Sequence, residues 1–434
     1  MFLISNLAKQ LRPPKRIPLD NAAQFFPSVS TFHNTWVFRL TCKLMQTVDP
    51  WALQYATEDA LKQYPLYRSV LHKGFFWYSL EASNQKPIIR ENRGSPCRSL
   101  YDKKHKRLLF LVTYQDEYIH LEIYHTLADG VGALAFFKQL IKCYILRKHP
   151  SCGVDATSLQ AELSPEIINE DSFKTHYSGI PVGEAIKDQH ATQHGRSWKK
   201  RGYRLKGALE PNGKIKQMTV LAEVNSVTAK AREYGVTATV LLTAVFMLAI
   251  QRTREKKQKH KPIVVNIPVN LRKYFPSKST RNFFQAVNVG HYFHGNTESL
   301  KKVSHQISEQ LTRELTPEFL TTRLNVLCSL EHHPVLRLVP RIGKDAILRM
   351  AGTWGAIHTT SVSNLGQITM PPEYSHYISH FDFTTSTQGV QLNICSYENQ
   401  MILNIASRLK SETIQAGFLK ILLELGIKIL VSKA

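Results

Sequence analysis

Residues 118–148 pass from one hydrophobic period to another without a break, and that switch constrains the fold more than any other stretch. Tyr118-Ile119-His120-Leu121-Glu122-Ile123-Tyr124 is a short apolar and aromatic run of the kind that forms a strand. From Val131 onward, Leu134, Phe137, Leu140, Ile141, Tyr144 and Ile145 recur at three and four, predicting an amphipathic helix to about Lys148, ahead of Pro150. Only His125-Thr126-Leu127-Ala128-Asp129-Gly130 is left to turn the chain between them. Upstream, Arg107 to Tyr114 is joined through Gln115-Asp116-Glu117 to the same strand, which predicts a hairpin delivering His125 at its carboxyl end.

At 434 residues the chain exceeds what one hydrophobic core usually organises, so two domains are expected. Before the turn, Thr35 to Leu44 and the Gly74 to Leu80 run suit strands. Asp49 and Pro50 read as N-cap and first helical residue of a helix that lasts until Pro65. Periodicity fades from Ser151 to about Gly213, where Pro165, Pro181 and Pro211 punctuate the chain. The expected division is a first lobe at 1–178, a crossover at 179–215 and a second lobe at 216–434. The second lobe opens much like the first, with a strand near Gln217 to Val224, a helix from Ser226 to Tyr234, and an apolar helix from Thr237 to about Gln251 capped by Thr237 or Thr239. The run Pro262 to Arg272 reads as a strand presenting Asn270 and Arg272 at its far end. A helix follows from Leu300 to about Leu315, then strands near Thr359–Asn364, Val390–Tyr397 and Gln400–Ala406, and a final helix from Glu412 to about Val431.

Fifty-six Lys and Arg against 33 Asp and Glu leave a net charge of +23, which predicts attraction to something anionic. Nucleic acid, an anionic membrane surface, and a phosphate-bearing substrate or acidic carrier protein all fit. No nucleic-acid module accompanies the basic residues, which cluster only locally, at Lys199-Lys200-Arg201 and from Arg252 to Lys261, so nucleic acid is the weakest of the three. The six cysteines are widely spaced without a CxxC pair and read as buried thiols, with neither a zinc site nor a disulfide framework. Polar interruptions in Met1 to Pro14 spoil the apolar stretch of a signal peptide, and no long uninterrupted apolar run predicts a membrane span. The expectation is a cytoplasmic protein, with peripheral membrane contact left open by the basic, amphipathic carboxyl end.

A neutral imidazole can take a proton from an alcohol or amine as that group attacks a carbonyl, a role worth roughly 10² to 10⁴ in rate. Such a base needs a fixed tautomer and orientation. A carboxylate four residues on, across a tight turn ending in Gly130, can brace the loop that carries His125 without touching it. The remaining histidines, among them His332-His333, His358, His376 and His380, lack metal-ligand spacing.

His125, Asp129 and Gly130 match HxxxD followed by Gly, and in them the chain resembles the CoA-dependent acyltransferase superfamily. Its members include chloramphenicol acetyltransferase, plant BAHD acyltransferases, carrier-protein condensation domains and alcohol acetyltransferases. Leu19-Asp20-Asn21-Ala22-Ala23, Ile267-Pro268-Val269-Asn270-Leu271-Arg272 and Arg281-Asn282-Phe283 look most like segments of alcohol acetyltransferase-like proteins of bacteria and fungi. The likeness covers nearly the whole chain, though only the His motif is specific.

That resemblance implies an α/β (α+β) fold of two chloramphenicol-acetyltransferase-like lobes, each a mixed sheet with flanking helices, forming a tunnel at their interface with the histidine midway. It implies that Asp129 turns away from His125 and pairs with Arg272. The plant-type DFGWG segment is absent; Ser361-Val362-Ser363-Asn364-Leu365-Gly366 instead resembles the Ser-Asn-x-Gly of bacterial and condensation-type relatives. Ser361, Ser363, Asn364 and Asn270 are therefore candidates for substrate binding or for stabilising an oxyanion. The implied reaction is direct transfer from acyl-CoA, a co-substrate and not a resident cofactor, to the hydroxyl or amine of a small-molecule or lipid-like acceptor, without a covalent intermediate or a metal. An acyl carrier protein as donor is the near alternative. A catalytically inactive basic binding protein or scaffold is the distant one.

Overall fold

The computed structural model describes residues 16–150, 164–193, 201–254, 258, 260–294, 298–355 and 357–433. Met1 to Pro14, Cys152 and the Lys199-Lys200 pair lie outside them, as do parts of the crossover and of the Arg252–Lys261 stretch. The first half contributes strands β1 (Arg16–Pro18), β2 (Val37–Leu44), β3 (Ser69–Lys73), β4 (Tyr78–Ala82), β5 (Arg90–Glu91), β6 (Phe110–Gln115) and β7 (Tyr118–Tyr124). The second contributes β8 (Lys216–Glu223), β9 (Ile263–Asn270), β10 (Phe284–His291), β11 (Thr360–Ile368), β12 (Ile378–Thr385), β13 (Val390–Tyr397), β14 (Gln400–Ser407) and β15 (Ile429–Lys433).

They assemble into two main sheets, β12-β2-β7-β6-β5 and β10-β9-β11-β13-β14-β8-β15, and a small one, β1-β4-β3. The β6–β7 hairpin forms as expected, its turn closed by Asp116 at φ 50°. In the larger sheet β9, β11 and β13 run parallel and the outer pairs antiparallel, so the fold is mixed α/β. One strand crosses over: β12 pairs antiparallel with β2, Phe381 opposite Cys42 and Phe383 opposite Leu40, which places a segment of the second half in the first half's sheet. Within the 179–215 stretch lies a helix, Val182–Gln193.

The helices end where their chemistry dictates. Asp49 caps Pro50–Gln63 by accepting from the amides of Trp51 and Ala52 at 2.8 and 3.1 Å. Of the two threonines offered as cap for the apolar helix, Thr237 is the one used, accepting from Val240 N. That helix, Ala238–Arg252, is buried against the larger sheet through Leu242, Val245, Phe246 and Ile250. The five described cysteines are free and buried.

Two expected elements differ. The Gly74–Leu80 run is a turn followed by β4, which pairs antiparallel with β3. The final helix stops at Glu424, because Gly426 adopts a left-handed φ of 72° and its amide and that of Ile427 close onto Leu423 and Leu422. Ile429–Lys433 then becomes an edge strand on β8. Three helices, Pro317–His332, Pro334–Leu338 and Arg341–Gly355, occupy a stretch for which no element was expected.

Candidate active site

His125 stands at the carboxyl end of β7, where its amide donates to the carbonyl of Trp36 at 2.9 Å. Three phenylalanines surround the ring. Phe26 stacks on it at 4.5 Å between centroids, Phe38 meets it edge-on at 5.2 Å, and Phe284 from the second half lies at 5.3 Å. The imidazole keeps some accessible surface. Protein is nevertheless packed around it densely enough that desolvation lowers its pKa below the ordinary histidine value, partly opposed by Asp129 and by the bond to Asn282. The ring is thus biased toward the neutral form that a base needs.

Asn282 supplies the tautomer. Its Oδ1 lies 3.1 Å from His125 Nδ1, across 157 residues of sequence. The amide can face only one way, because its Nδ2 donates to Asp20 Oδ2 at 3.3 Å and the backbone amide of Asn282 reaches the same oxygen at 3.3 Å. A carboxylate accepts and does not donate, so Asn282 turns its oxygen to the histidine, Nδ1 carries the hydrogen, and Nε2 holds the free lone pair. Asp20 is buried, and desolvation raises its pKa to about 6 against the opposing charge of Arg281, so it is ionised at neutral pH. Its other oxygen accepts from Ala23 N at 2.8 Å, starting the turn that leads into the Phe25–Val29 helix and Phe26.

Asp129 works elsewhere. Its Oδ1 caps the Gly130–Lys148 helix by accepting from Gly132 N at 2.8 Å. Its Oδ2 takes Arg272 Nη1 at 2.7 Å and Phe283 N at 2.8 Å. Asp129 is buried and the Arg272 side chain is 10% exposed, so the pair is largely shielded from water. Arg272 also donates to the carbonyls of Ser279 at 3.0 Å and Arg281 at 2.5 Å, clamping the loop that carries Asn282. The first half's motif therefore holds the second half's loop, and that loop orients the histidine.

Gly130 and Gly132 make this contact close. A Cβ on Gly130 would stand 2.6 Å from Leu365 Cδ2 of β11, whereas one on Gly132 would stand 1.9 Å from the carbonyl oxygen of Thr280. Asn270 Oδ1 accepts from Arg272 N at 3.1 Å and Nη1 at 3.3 Å, so its oxygen is spent on the arginine. Ser361 and Ser363 flank buried Val362 on β11 and share the opposite, partly exposed face. Ser363 Oγ accepts from Gln391 at 3.3 Å. Asn364 bonds Thr239 Oγ1 at 2.8 Å and accepts from Gly366 N at 2.7 Å. Residues 361–366 were expected at a strand end; they lie within β11, with a bulge between Asn364 and Gly366. Among the described residues no cluster of His, Cys, Asp and Glu could hold a metal ion.

The architecture and this motif define a class: mixed α/β chains of condensation and acyltransferase type. The sequence pattern of the alcohol acetyltransferase family matches residues 107–425, and the chain belongs to that family. No curated protein matches. Among solved structures, polyketide synthase associated protein 5 from Mycobacterium tuberculosis superposes with a TM-score of 0.60 at 13% identity, over 95% of this chain and 98% of that one. TRI3 trichothecene 15-O-acetyltransferase from Fusarium sporotrichioides gives 0.60 at 10%, over 95% and 94%. The first condensation domain of the CDA synthetase gives 0.62 at 13%, over 96% and 99%. At such identities the superpositions speak for the fold, which is two-lobed in these neighbours. Acyl transfer is the class of reaction that family and fold support.

Asn282 and Asp20 were legible only as letters in segments resembling the family; nothing in their spacing ties them to His125. Gly132 carried no signal beyond its nearness to the motif.

Proposed function

We propose that the protein transfers an acyl group from acyl-CoA to a hydroxyl or amine, with His125 Nε2 as general base. The observation carrying this reading is the Asp20–Asn282–His125 arrangement, which leaves Nε2 unprotonated in a ring biased toward neutrality. The acceptor oxygen or nitrogen attacks the thioester carbon and gives its proton to Nε2. The C–S bond of the resulting tetrahedral intermediate then breaks, and the imidazolium returns the proton to the departing thiolate. Asp129 and Arg272 are positioning residues in this scheme, acting through the 279–283 loop.

For the oxyanion we favour the serines over Asn364 and keep Asn270 as a candidate donor. Ser363 accepts from Gln391 and keeps its own hydrogen to donate, and Ser361 shares its face of β11. Asn364 Nδ2 already donates to Thr239 Oγ1, whereas Asn270 is engaged through its Oδ1, which leaves its Nδ2 hydrogens to donate. We place the approach of both substrates along the interface between the halves, where Asn282 meets His125 and Leu365 lies against Gly130.

Incubation with labelled acetyl-CoA, longer acyl-CoAs and acyl carrier proteins, each with alcohol and amine acceptors, tests the reading. Acyl-CoA turnover that His125→Ala lowers by roughly 10² or more is expected. Turnover with carrier proteins alone would move the donor assignment to them. A His125→Ala variant with a near-normal rate would exclude the base, and no thioester turnover with any donor would overturn the function.

A further inference from the structure

The Arg341–Gly355 helix buries Asp345 and exposes several large apolar side chains. Inward, buried Asp345 accepts from Ser28 Oγ at 2.6 Å, Tyr78 Oη at 2.9 Å and Arg341 Nη1 at 3.0 Å, while Arg349 Nε donates to the carbonyl of Ser28 at 2.7 Å. Outward stand Ile342, 74% exposed, with Ile347 and Met350. The preceding helix, Pro334–Leu338, adds Val335 and Leu338, the latter 74% exposed.

A third segment joins them. Arg341 N donates to the carbonyl of Phe75 at 2.9 Å, Arg341 Nε to that of Gly74 at 3.1 Å, and Lys344 Nζ to that of Phe76 at 3.1 Å. This fixes the β3–β4 turn against the helix and presents Phe75, 73% exposed, with Phe76 edge-on to it at 4.8 Å. Large side chains so nearly naked, on three segments that adjoin at the start of this helix, are of the kind that soluble chains normally cover.

The charge around this face is positive. Lys344 sits over the Trp77 ring, 3.3 Å from its centroid, and Lys73 bonds the carbonyl of Lys103. Arg337, Lys73, Lys103 and Lys104 are exposed. The nearby acids are occupied: Asp345 is buried among three donors, Asp102 faces His105 and Arg107, and Glu331 accepts from Asn21. Protruding aliphatic and aromatic tips with a lysine and arginine surround match the headgroup region of an anionic bilayer, toward which the whole chain's +23 also draws it.

We propose that the face built from Val335, Leu338, Ile342, Met350, Phe75 and Phe76 docks on an anionic membrane surface, its tips entering the headgroup boundary and Arg337, Lys344 and Lys73 meeting lipid phosphates. The face lies one helix from the histidine. Asp345 and Arg349 hold Ser28, and the Phe25–Val29 helix that contains it also carries Phe26, stacked on His125. Docking would bring a lipid-like acceptor to the side of the molecule nearest that ring, but the docking itself stands independently of the reaction proposed above.

Sedimentation of the full chain with phosphatidylcholine vesicles, and with phosphatidylcholine vesicles containing phosphatidylserine, tests it. Binding is expected to the serine-containing vesicles and to weaken as salt rises. The triple variant Phe75→Ser, Leu338→Ser, Ile342→Ser should lose about tenfold or more of that binding. Its melting temperature should match the wild type, since all three side chains are largely exposed. The pair Arg337→Glu and Lys344→Glu should abolish the preference for serine-containing vesicles. Absence of sedimentation with either vesicle, or equal sedimentation of wild type and triple variant, overturns the proposal. So does a concentration-dependent dimer that the triple variant disrupts while vesicles bind neither form, an outcome that would assign the face to a second copy.

Discussion

Which nitrogen of His125 can act is decided by a residue 157 positions away in sequence. Asn282 accepts from Nδ1–H, and that bond favours the protonated ring, whereas burial disfavours it more strongly and leaves the pKa below 6.5. The acid limb of kcat/KM should therefore fall below pH 6.5, with activity flat above it until other groups titrate. Asn282→Ala removes the contact that raises the pKa, so the limb should move further toward acid. Burial raises the Asp20 pKa to about 6, in the same window, and Asp20 bonds Asn282, so uncoupling it shifts the limb in the same direction. With the tautomer no longer fixed, kcat should drop by about ten- to a hundredfold while KM for the thioester changes little. A pH–rate profile of the variant decides: a residue with a merely structural role would lower the active fraction and leave the limb where it was.

The Gly130–Lys148 helix shows what periodicity and motif can convey and where they stop. Its apolar face and its position after the strand were legible, because each depends on residues within one or two turns, whereas Asp129 was expected as a brace for the loop and not as the cap that it also is. Gly130 was legible as part of the motif. Gly132 was not, because what crowds it is the backbone of a loop 148 residues downstream, at Thr280. The same limit governs the carboxyl end. Ile427 to Val431 satisfies a helical and an extended period alike, and the deciding signal was the single glycine at 426, with pairing to β8 invisible in the local pattern. Substitution separates the two glycines. Gly132→Ala sets a methyl 1.9 Å from a carbonyl oxygen that only movement of the whole loop can relieve, and should cost about 1–3 kcal/mol or more. Gly130→Ala meets the mobile end of Leu365 at 2.6 Å and should cost less, on the order of 1 kcal/mol. Urea denaturation of both variants measures the order, and a Gly130→Ala loss exceeding that of Gly132→Ala would contradict the close backbone approach.

At the scale of the molecule, the two main sheets are joined where β12 leaves the second half for the first. Half-buried Asp382 on β12 accepts from Thr219 of β8 and Asn404 of β14, both at 3.0 Å. Thr384 donates to Asn404 Oδ1 at 2.9 Å, and Thr385 to Asn393 Oδ1 at 3.0 Å. Strand crossover and polar network alike bring together residues from separate stretches, which explains why a reading by halves did not foresee them. Asp382 Oδ1 has no hydrogen-bond partner, and burial raises the carboxyl pKa from 3.8 to about 6. Because the folded value lies above the unfolded one, the native state gains from the protonated acid below pH 3.8 and loses that advantage as pH rises through about 6. Neutral pH therefore carries a buried charge whose cost is on the order of 2–3 kcal/mol. Asp382→Asn keeps an oxygen for Thr219 and Asn404 and removes the charge, so its melting temperature should exceed the wild type's at pH 8, with the gap closing toward pH 4. Thermal melts across that range give the answer. A variant less stable than wild type at pH 8 would mean that the carboxylate has a compensating charge at the junction, and that the seam between the sheets is held by an ion pair and not by hydrogen bonds to a costly acid.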